Sequence, residues 1–257
     1  MKDRKDYFSK SVDKGMRILA LFDQSRPRLT LGEASRETGL NLTSTYRYVN
    51  TFLGLGYLTR DKQKRSLRLG PKAFVMGYRF LGGFDLPRII KPIVDDIHNR
   101  YNISIDVALF HDDSLTVVYR KEAKDTLSFR LSLTTKAFHS TALGKAVLAY
   151  LPHDVRDRII KQLPLEKRTK NTLTGRLALL HDLKTIRERG YSLNNEEYML
   201  GLISIGAPIL NSENGTVLGS ISFDSNTINH SIRAFEKEFA CLIKDVCKKV
   251  SDLISSA

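Results

Sequence analysis

The amino-acid sequence predicts an α+β fold, with a small helical domain at the N-terminus and a larger domain built on an antiparallel sheet. Its 257 residues are enough for two domains of ordinary size. After residue 86, hairpin-like strand patterns and separate helical patterns follow one another, which is typical of an α+β domain. The density of positive charge also changes near residue 86. Residues 1–85 hold 17 Lys and Arg against 8 Asp and Glu, so they carry +9 of the net charge of +13.

The first two helices of the N-terminal domain are predicted from their end signals. Ser11 precedes apolar residues at helical spacing and is the expected N-cap of a first helix that ends near Asp23. Thr30 and Glu33 have the spacing of a capping box, which predicts the start of a second helix. Gly39 stands where this helix is expected to end, because glycine readily adopts the left-handed conformation of a helix C-terminus.

A third helix is expected after the glycine turn, with Asn41 or Thr43 as its N-cap. Val49, Phe52 and Leu53 mark its buried side. Two short helices joined by a glycine turn fit the helix-turn-helix pattern, in which the second helix enters the major groove of DNA. The alternative is the solvated polar face of an ordinary helix. The polar residues expected to face DNA are Thr43, Ser44, Tyr46, Arg47 and Asn50.

The side chains on this predicted face have the chemistry of DNA recognition. The hydroxyls of Thr43 and Ser44 can bind phosphate oxygens. Arg47 can make a two-pronged contact with guanine, and Tyr46 can contact the backbone or a thymine methyl group.

A basic hairpin is predicted directly after the third helix. Residues 57–60 and 66–69 have strand patterns, with Leu67 and Leu69 alternating inward, and a polar turn at 61–65 joins them. Such a hairpin is expected to lie along phosphates as a wing, although basic hairpins are also often simply solvated. Three helices and a basic hairpin together predict a winged helix-turn-helix domain that binds DNA. The basic residues of the wing are Arg60, Lys62, Lys64, Arg65 and Arg68.

The rest of the chain is expected to form a linker helix and the larger domain. Pro71 can open a helix over 71–82, before Gly82 and Gly83 interrupt the pattern. The predicted boundaries are 1–70 for the DNA-binding domain, 71–85 for the linker helix and 86–257 for the larger domain. Within the larger domain, strands are predicted at 103–110, 115–122, 127–133, 202–210 and 216–223. Helices are predicted at 141–151, 153–162 and 176–189, with a long one from about residue 231.

A ligand site is predicted where residues 138–144 lead into a helix. His139, Ser140 and Thr141 precede a helix that begins near Ala142, and a helix N-terminus offers free N–H groups to a carboxylate. Arg130 on the preceding strand can add positive charge if it points inward. Each polar group can equally be a satisfied structural residue, and Glu196 and Glu197 are expected to be solvated.

The sequence resembles the isocitrate-lyase-regulator (IclR) family of bacterial transcription factors over nearly its whole length. In the first third, the resemblance lies in SVDKGMRILALF, LTLGEASRETGLNLTSTYRYVNTFLGLGYLTRD and LRLGPKAF. Further on, it lies in FHSTALGKAVLAYLP, IRERGYSLNNEEYMLGLISIGAPI and GTVLGSISF. The resemblance implies a winged helix-turn-helix, a linker helix that helps to pair subunits, and a GAF-like sensor domain.

The resemblance also implies which residues line the effector pocket, in addition to Arg130. They are His139, Thr141, Ala142, Gly144, Asn194, Glu196, Ser204 and Ser222. The sequence departs from the family pattern at Asn41-Leu42, where Pro-Lys is common, and at Tyr46, where His is common. Asn194 and Ser204 stand where some relatives have an acidic residue or Cys. The operator and the effector therefore do not carry over from the family.

The expected function is that of a ligand-gated transcription regulator in the cytoplasm. Its expected partners are a double-stranded DNA operator, a small organic or aromatic acid and further copies of the chain, as dimers that pair into tetramers. No apolar run is long enough for a membrane span, and neither a secretory signal nor an enzyme, metal or cofactor motif is present. The alternatives are an enzyme with an incidental basic head and a nonspecific nucleic-acid-coating protein.

Overall fold

The computed structural model divides the chain into two compact units, Met1–Gly83 and Phe84–Ala257. The predicted linker helix falls within the first unit. The residues that the structure describes are 8–23, 26–61, 63, 65–83, 86–111, 113–124 and 134–255.

The N-terminal unit has the element order of a winged helix-turn-helix. Its helices are α1 (Lys10–Leu19), α2 (Leu31–Thr38), α3 (Leu42–Leu55) and α4 (Pro71–Gly83). Its strands are β1 (Leu29–Thr30), β2 (Leu58–Asp61) and β3 (Ser66–Leu69), in the antiparallel order β1-β3-β2. Ile18, Val49, Leu58 and Leu67 are buried together in a core that joins α1, α3 and the hairpin.

Three of the predicted helix ends are confirmed. Thr30 and Glu33 form the capping box at the start of α2, and Gly39 ends that helix with a left-handed φ of 69°. Asn41 is the N-cap of α3, where its side chain accepts a hydrogen bond from the amide of Ser44. The prediction for α1 is wrong at both ends. The N-cap is Ser9, whose hydroxyl accepts from the amide of Val12, and the helix ends at Leu19.

In the wing, the burial of the second strand differs from the prediction. Leu67 is buried as expected, but Leu69 is 45 % exposed. The reason is the short strand β1, which the sequence analysis missed. It pairs only with Ser66 and Leu67, so Leu69 extends beyond the three-stranded part of the sheet. The first strand of the hairpin begins at Leu58, one residue later than predicted.

A close junction connects the wing to α4. A Cβ atom on Gly70 would lie 2.4 Å from the carbonyl oxygen of Gly56, so only glycine fits there. The amide of Gly70 donates to the carbonyl of Tyr57 at 2.7 Å, and the amide of Lys72 donates to the carbonyl of Gly56 at 3.2 Å. Gly56 also caps the C-terminus of α3. The end of α3 and the start of α4 are therefore hydrogen-bonded to each other.

The C-terminal unit is built on a six-stranded antiparallel sheet. Its helices are α5 (Leu86–Tyr101), α6 (Ala142–Tyr150), α7 (His153–Gln162), α8 (Arg176–Arg189) and α9 (Ile232–Ser255). Its strands are β4 (Ser104–His111), β5 (Ser114–Lys121), β6 (Thr134–Thr135), β7 (Ser192–Asn195), β8 (Leu202–Leu210) and β9 (Val217–Asn226). The strand order is β6-β5-β4-β9-β8-β7.

Most of these elements match the sequence-based predictions. The structure adds β6 and β7, which are too short for a clear alternating pattern. The strand predicted at 127–133 lies outside the described residues. The linker helix α4 ends at Gly83, one residue beyond the predicted end at residue 82.

Helices cover both faces of the sheet. α5 and α9 bury one face, to which β8 contributes Ile203 and Ile205. α6, α7 and α8 form a second apolar cluster with the opposite face. Successive side chains of a strand point to opposite faces, so Ser204 and Gly206 lie on the α6 side. The result is a three-layer, GAF-like domain with a polar strip under the start of α6. No helix among the described residues is long and apolar enough to span a membrane.

Candidate functional site

The polar face of α3 is presented at the surface of the N-terminal unit. Thr45 and Val49 are buried on the inner side of this helix. Thr43, Tyr46 and Arg47 are exposed on the outer side, and Tyr46 retains 49 % of its surface. The remaining predicted residues, Ser44 and Asn50, are partly buried.

The exposed side chains of this face are not engaged within the part of the chain that the structure describes. No hydrogen bond or ion pair there involves the guanidinium of Arg47 or the hydroxyls of Thr43 and Tyr46. The helix satisfies its own first turn through Asn41, whose Oδ1 accepts from the amide of Ser44 at 2.8 Å. The face therefore carries donors that an external partner can use.

The wing presents three further exposed cations, Arg60, Arg65 and Arg68. Arg65 has a left-handed φ of 49° within the turn of the hairpin. Arg68 differs, because its Nε donates to the hydroxyl of Thr59 at 3.0 Å. Asp61, the last residue of β2, pairs with Arg28 at 3.0 Å. Lys62 and Lys64 lie outside the described residues.

In the C-terminal unit, the N-terminus of α6 lies against β8 and the edge strand β7. A Cβ atom on Gly206 would lie 3.1 Å from the carbonyl of Ala142, so the glycine permits this close approach. Ser192 donates its hydroxyl to the Ala142 carbonyl at 2.6 Å. At the other end of α6, Tyr150 lines the same recess as Pro208. Both ends of α6 therefore lie near β8.

Two predicted effector residues have structural roles in this helix start. The hydroxyl of Thr141 accepts from the amide of Gly144 at 3.0 Å and donates to the carbonyl of Ala137 at 2.9 Å. A Cβ atom on Gly144 would lie 2.4 Å from the Cα of Phe138, so this position also requires glycine. The first-turn amides of Ala142 and the next residue have no acceptor within the helix.

Two buried polar groups precede the N-cap of α6. His139 is 2 % exposed, and its Nε2 lies 3.1 Å from the carbonyl of Glu166. Its Nδ1 and the hydroxyl of Ser140, which is 0 % exposed, have no hydrogen-bond partner among the described residues. Burial lowers the pKa of His139, which favours the neutral imidazole.

The predicted residues near the end of β7 fall into different environments. Asn194 is buried, and its Oδ1 accepts from the amide of Glu197 at 2.8 Å. Glu196 is half-buried in the following turn, where its carboxylate accepts from the amide of Gly201 at 2.8 Å. The expectation that Glu197 is solvated is wrong. It is buried because Lys145, itself 2 % exposed, donates to it at 2.7 and 2.9 Å.

Lys145 connects three segments around the site. In addition to Glu197, its ammonium group lies 2.9 Å from a carboxylate oxygen of Asp182 on α8. Burial is the main cause that raises the pKa of Glu197, and Lys145 opposes this effect. Two carboxylates thus share one buried cation, which holds α6, α8 and the turn after β7 together.

The sheet brings two other predicted residues, Ser204 and Ser222, next to charged groups that the sequence analysis missed. Ser204 pairs across the strands with Asp224, and Ser222 pairs with Asp106. Arg120 on β5 donates to both carboxylate oxygens of Asp106, at 2.6 and 2.7 Å. For Asp106, the available signal was a single carboxylate within an otherwise apolar run of β4.

The environment of Asp224 favours its protonated form. Burial, followed by repulsion from the Asp106 carboxylate, raises the pKa of Asp224 to about 7. The hydroxyls of Ser204 and Ser222 oppose this shift. Burial also raises the pKa of Asp106, although Arg120 partly compensates. Arg130, the remaining predicted effector residue, lies outside the described residues.

The fold and these surfaces define a class of protein: a helix-turn-helix DNA-binding regulator with a separate domain that binds a small effector. Two family models match the sequence. "IclR helix-turn-helix domain" matches residues 11–62, and "Bacterial transcriptional regulator IclR C-terminal" matches residues 78–252. The chain belongs to the IclR family of bacterial transcription regulators.

Individual relatives agree with this assignment. The chain is 30 % identical to the HTH-type transcriptional regulator BhcR of Paracoccus denitrificans over 86 % of this chain and 79 % of that protein. It is 26 % identical to the p-hydroxybenzoate hydroxylase transcriptional activator of Acinetobacter baylyi, over 97 % and 93 % of the two chains. These relatives are regulators, and the chain is likewise a ligand-responsive regulator and not an enzyme.

A solved structure has the same fold at lower identity. The IclR homolog of Microbacterium hydrocarbonoxydans, crystallised in complex with 4-hydroxybenzoate, is 18 % identical. It superimposes with a TM-score of 0.80, and the match covers 96 % of this chain and 100 % of that one.

Proposed function

We propose that this regulator binds a double-stranded DNA operator in the bacterial cytoplasm and changes its operator affinity when the C-terminal unit binds a small organic or aromatic acid. The observation that carries the proposal is the outer face of α3. It presents Thr43, Tyr46 and Arg47 exposed and unengaged on a helix whose ends are fixed by caps. Polar groups in this arrangement are available to base edges and phosphates.

DNA recognition is divided between α3 and the wing. Arg47 reads a guanine through its two-pronged guanidinium, and the neighbouring hydroxyls position the helix on phosphates. The wing adds affinity that does not depend on sequence, through Arg60 and Arg65 and through Lys62 and Lys64. Ser44 and Asn50 complete the contact set at the edges of the face.

The acid binds where α6 begins. The free first-turn amides of this helix, together with the helix dipole, suit a carboxylate. The wall of the site consists of His139, Asn194, Ser204 and Ser222, and Thr141 and Gly144 shape it by fixing the helix start. Glu196 supports the adjoining turn, and Arg130 adds positive charge. The 4-hydroxybenzoate complex of the Microbacterium homolog supports an aromatic acid as the effector class.

The working form is a dimer that pairs into a tetramer on DNA. Phe74 and Met76 on α4 are 74 % and 56 % exposed, and Val12 on α1 is 63 % exposed. Apolar side chains at this exposure are typical of surfaces that bind another subunit. A dimer places two α3 helices about one helical turn of DNA apart, roughly 34 Å.

The proposal can be tested by recovering genomic DNA fragments with the purified protein and sequencing them. The expected result is a shared motif with two half-sites about one helical turn apart. Acids made or consumed by the products of neighbouring genes are then tested for their effect on operator affinity. Recovery of fragments without a common motif would contradict operator binding. Operator binding that no candidate acid changes would contradict the proposed effector class.

A further inference from the structure

The exposed face of α3 is apolar along one side. Leu42, the first residue of this helix, is 56 % exposed, and Tyr46, four residues later, is 49 % exposed. Residues four apart on a helix are neighbours on its surface. Tyr46 contributes the apolar body of its ring, although its hydroxyl is polar. Leu42 and Tyr46 therefore form a continuous apolar stripe at the N-terminal end of α3.

The apolar stripe does not belong to the core of the N-terminal unit. Thr45 and Val49 form the buried side of α3, and neither Leu42 nor Tyr46 packs with the described apolar core of this unit. The start of the helix depends on its N-cap Asn41, whose side chain accepts from a first-turn amide, and not on Leu42. Packing among the described residues therefore does not account for an exposed leucine at this position.

The apolar stripe is continuous with the groups assigned to DNA. Each residue of a helix is rotated by about 100° from the one before it, so Thr43 and Arg47 lie beside Leu42 and Tyr46 on the exposed surface. In a helix-turn-helix, the N-terminal residues of the second helix are nearest the base edges. The apolar stripe therefore enters the major groove together with Arg47.

The major groove offers one large apolar group, the C5 methyl of thymine. The other groups on the base edges are hydrogen-bond donors and acceptors, with which a leucine side chain cannot pair. Leu42 placed against such a group would displace its water without replacing the hydrogen bond, and an unsatisfied donor or acceptor is costly. A leucine in the groove thus favours thymine and disfavours the other bases.

We propose that Leu42 and Tyr46 determine operator specificity by contacting the methyl groups of two thymines, beside the guanine that Arg47 contacts. This inference rests on the proposed operator binding and specifies the base sequence of each half-site. Four residues of a helix span about 6 Å along its axis. Base pairs are about 3.4 Å apart, so the two thymines, on either strand, are one or two base pairs apart.

The test replaces each thymine of one operator half-site, one at a time, by deoxyuracil, which lacks only the C5 methyl. The operator is the motif that the purified protein recovers from genomic DNA, and gel shifts with the full chain at one salt concentration measure affinity. We expect deoxyuracil at two positions, one or two base pairs apart, to weaken wild-type binding. The expected loss at each position is about three- to fivefold, the contribution of one buried methyl-sized group.

Two variants assign the methyl contacts to individual side chains. Leu42→Ala should bind thymine and deoxyuracil equally at one position and keep the difference at the other, and Tyr46→Ala should show the reverse. Leu42→Met retains an apolar side chain of similar volume, so it should keep the preference for thymine. The matched control is Leu55→Ala at the other end of α3, where the leucine is 47 % exposed. This control should keep both preferences.

Folding and subunit pairing are measured on the same preparations. Alanine is the best helix former, so Leu42→Ala at an exposed position should melt close to the wild type. The scan of the wild type with deoxyuracil needs no variant, so it tests the methyl contacts even where a substitution lowers stability. Light scattering gives the mass of each variant in solution. A smaller mass for Leu42→Ala than for Leu55→Ala would assign Leu42 to a contact between subunits and overturn the proposal.

The outcomes separate this inference from operator binding itself. If deoxyuracil replaces every thymine of the half-site without loss of affinity, the inference is wrong and operator binding stands. The same conclusion follows if the half-site lacks two thymines at this spacing, or if Leu42→Ala and Tyr46→Ala keep both preferences. If the protein recovers no common motif, operator binding is contradicted and the inference fails with it.

Discussion

The face of α3 and the strip beneath α6 are both polar, but their polar groups are arranged in opposite ways. On α3, Arg47 and Thr43 are exposed, and their side chains make no hydrogen bond or ion pair within the described residues. On α6 and in the strip beneath it, Lys145 and Asp106 are nearly fully buried, and each is held by an oppositely charged neighbour. One surface leaves its hydrogen-bonding capacity for a partner, whereas the other uses most of that capacity internally.

This difference follows from what each surface must bind. A DNA groove is large and hydrated, so side chains that read it can remain in water until contact. A small effector must be enclosed, and an enclosed charge is stable only when it is paired. Substitutions should therefore change binding with little effect on the fold in α3, and change the fold as well in the C-terminal unit.

The largest expected effect on stability is at Lys145. Its replacement by Met leaves Glu197 and Asp182 without their shared cation, and breaking a buried ion pair costs about 3–5 kcal/mol. The free energy of unfolding, measured with urea, should fall by this amount. The matched control is Lys184→Met on α8, where the ammonium group is exposed and 4.0 Å from Glu188. Equal losses in the two variants would show that burial of the pair is unimportant.

The next largest effect is expected at Arg47, and it concerns binding rather than folding. Arg47→Ala should lower operator affinity by about 10- to 100-fold for each half-site, because a two-pronged base contact is lost. Arg47→Lys keeps the charge but not the two-pronged geometry, so it should lower specific binding more than nonspecific binding. Gel-shift titrations with operator and random DNA at one salt concentration measure both. An unchanged ratio of the two affinities would remove Arg47 from base recognition.

A smaller effect, dependent on pH, is expected at Asp224. Its pKa is raised to about 7 in the folded chain, whereas the ordinary value is 3.8. Between these values the folded state keeps a proton that the unfolded chain releases, so stability falls as pH rises towards 7 and stays low above it. Asp224→Asn removes this titration. Its melting temperature relative to wild type should therefore rise from pH 5 to pH 8, and a constant difference would contradict the raised pKa.

The smallest effect is expected from a pair of matched threonine substitutions. Thr30→Ala removes the N-cap of α2 and should cost about 1 kcal/mol of stability. Thr43→Ala removes an exposed hydroxyl from the face of α3, so it should leave stability almost unchanged and weaken operator binding. Urea unfolding and gel shifts of both variants test this. A loss of stability in Thr43→Ala as large as in Thr30→Ala would contradict the contrast between the two sites.

Local signals made the N-terminal unit largely predictable. The capping box at Thr30 and Glu33, the left-handed Gly39 and the N-cap Asn41 depend on residues within a few positions of each other. The exposure of Leu69 was not predictable in this way. It depends on how far the two-residue strand β1 extends along β3, and β1 is too short to have a pattern of its own.

The C-terminal site was only partly predictable for a similar reason. The start of α6 could be located because His139, Ser140 and Thr141 directly precede a helical pattern that begins near Ala142. Glu197 was expected in solvent, because nothing in its local sequence indicates Lys145, 52 positions away along the chain. The Asp106–Asp224 cluster likewise forms only when β4 and β9 pair. Long-range pairing, rather than local propensity, determines the charges of this site.

The junction at Gly70 has a mechanical consequence for the N-terminal unit. Gly56 both caps α3 and accepts the hydrogen bond from Lys72 at the start of α4, and no side chain fits at Gly70 between the two segments. The base of α4 therefore cannot swivel independently of α3. A rotation of α4 about its first turn would therefore also rotate α3. These few backbone contacts determine how much of the rotation reaches the helix that faces DNA.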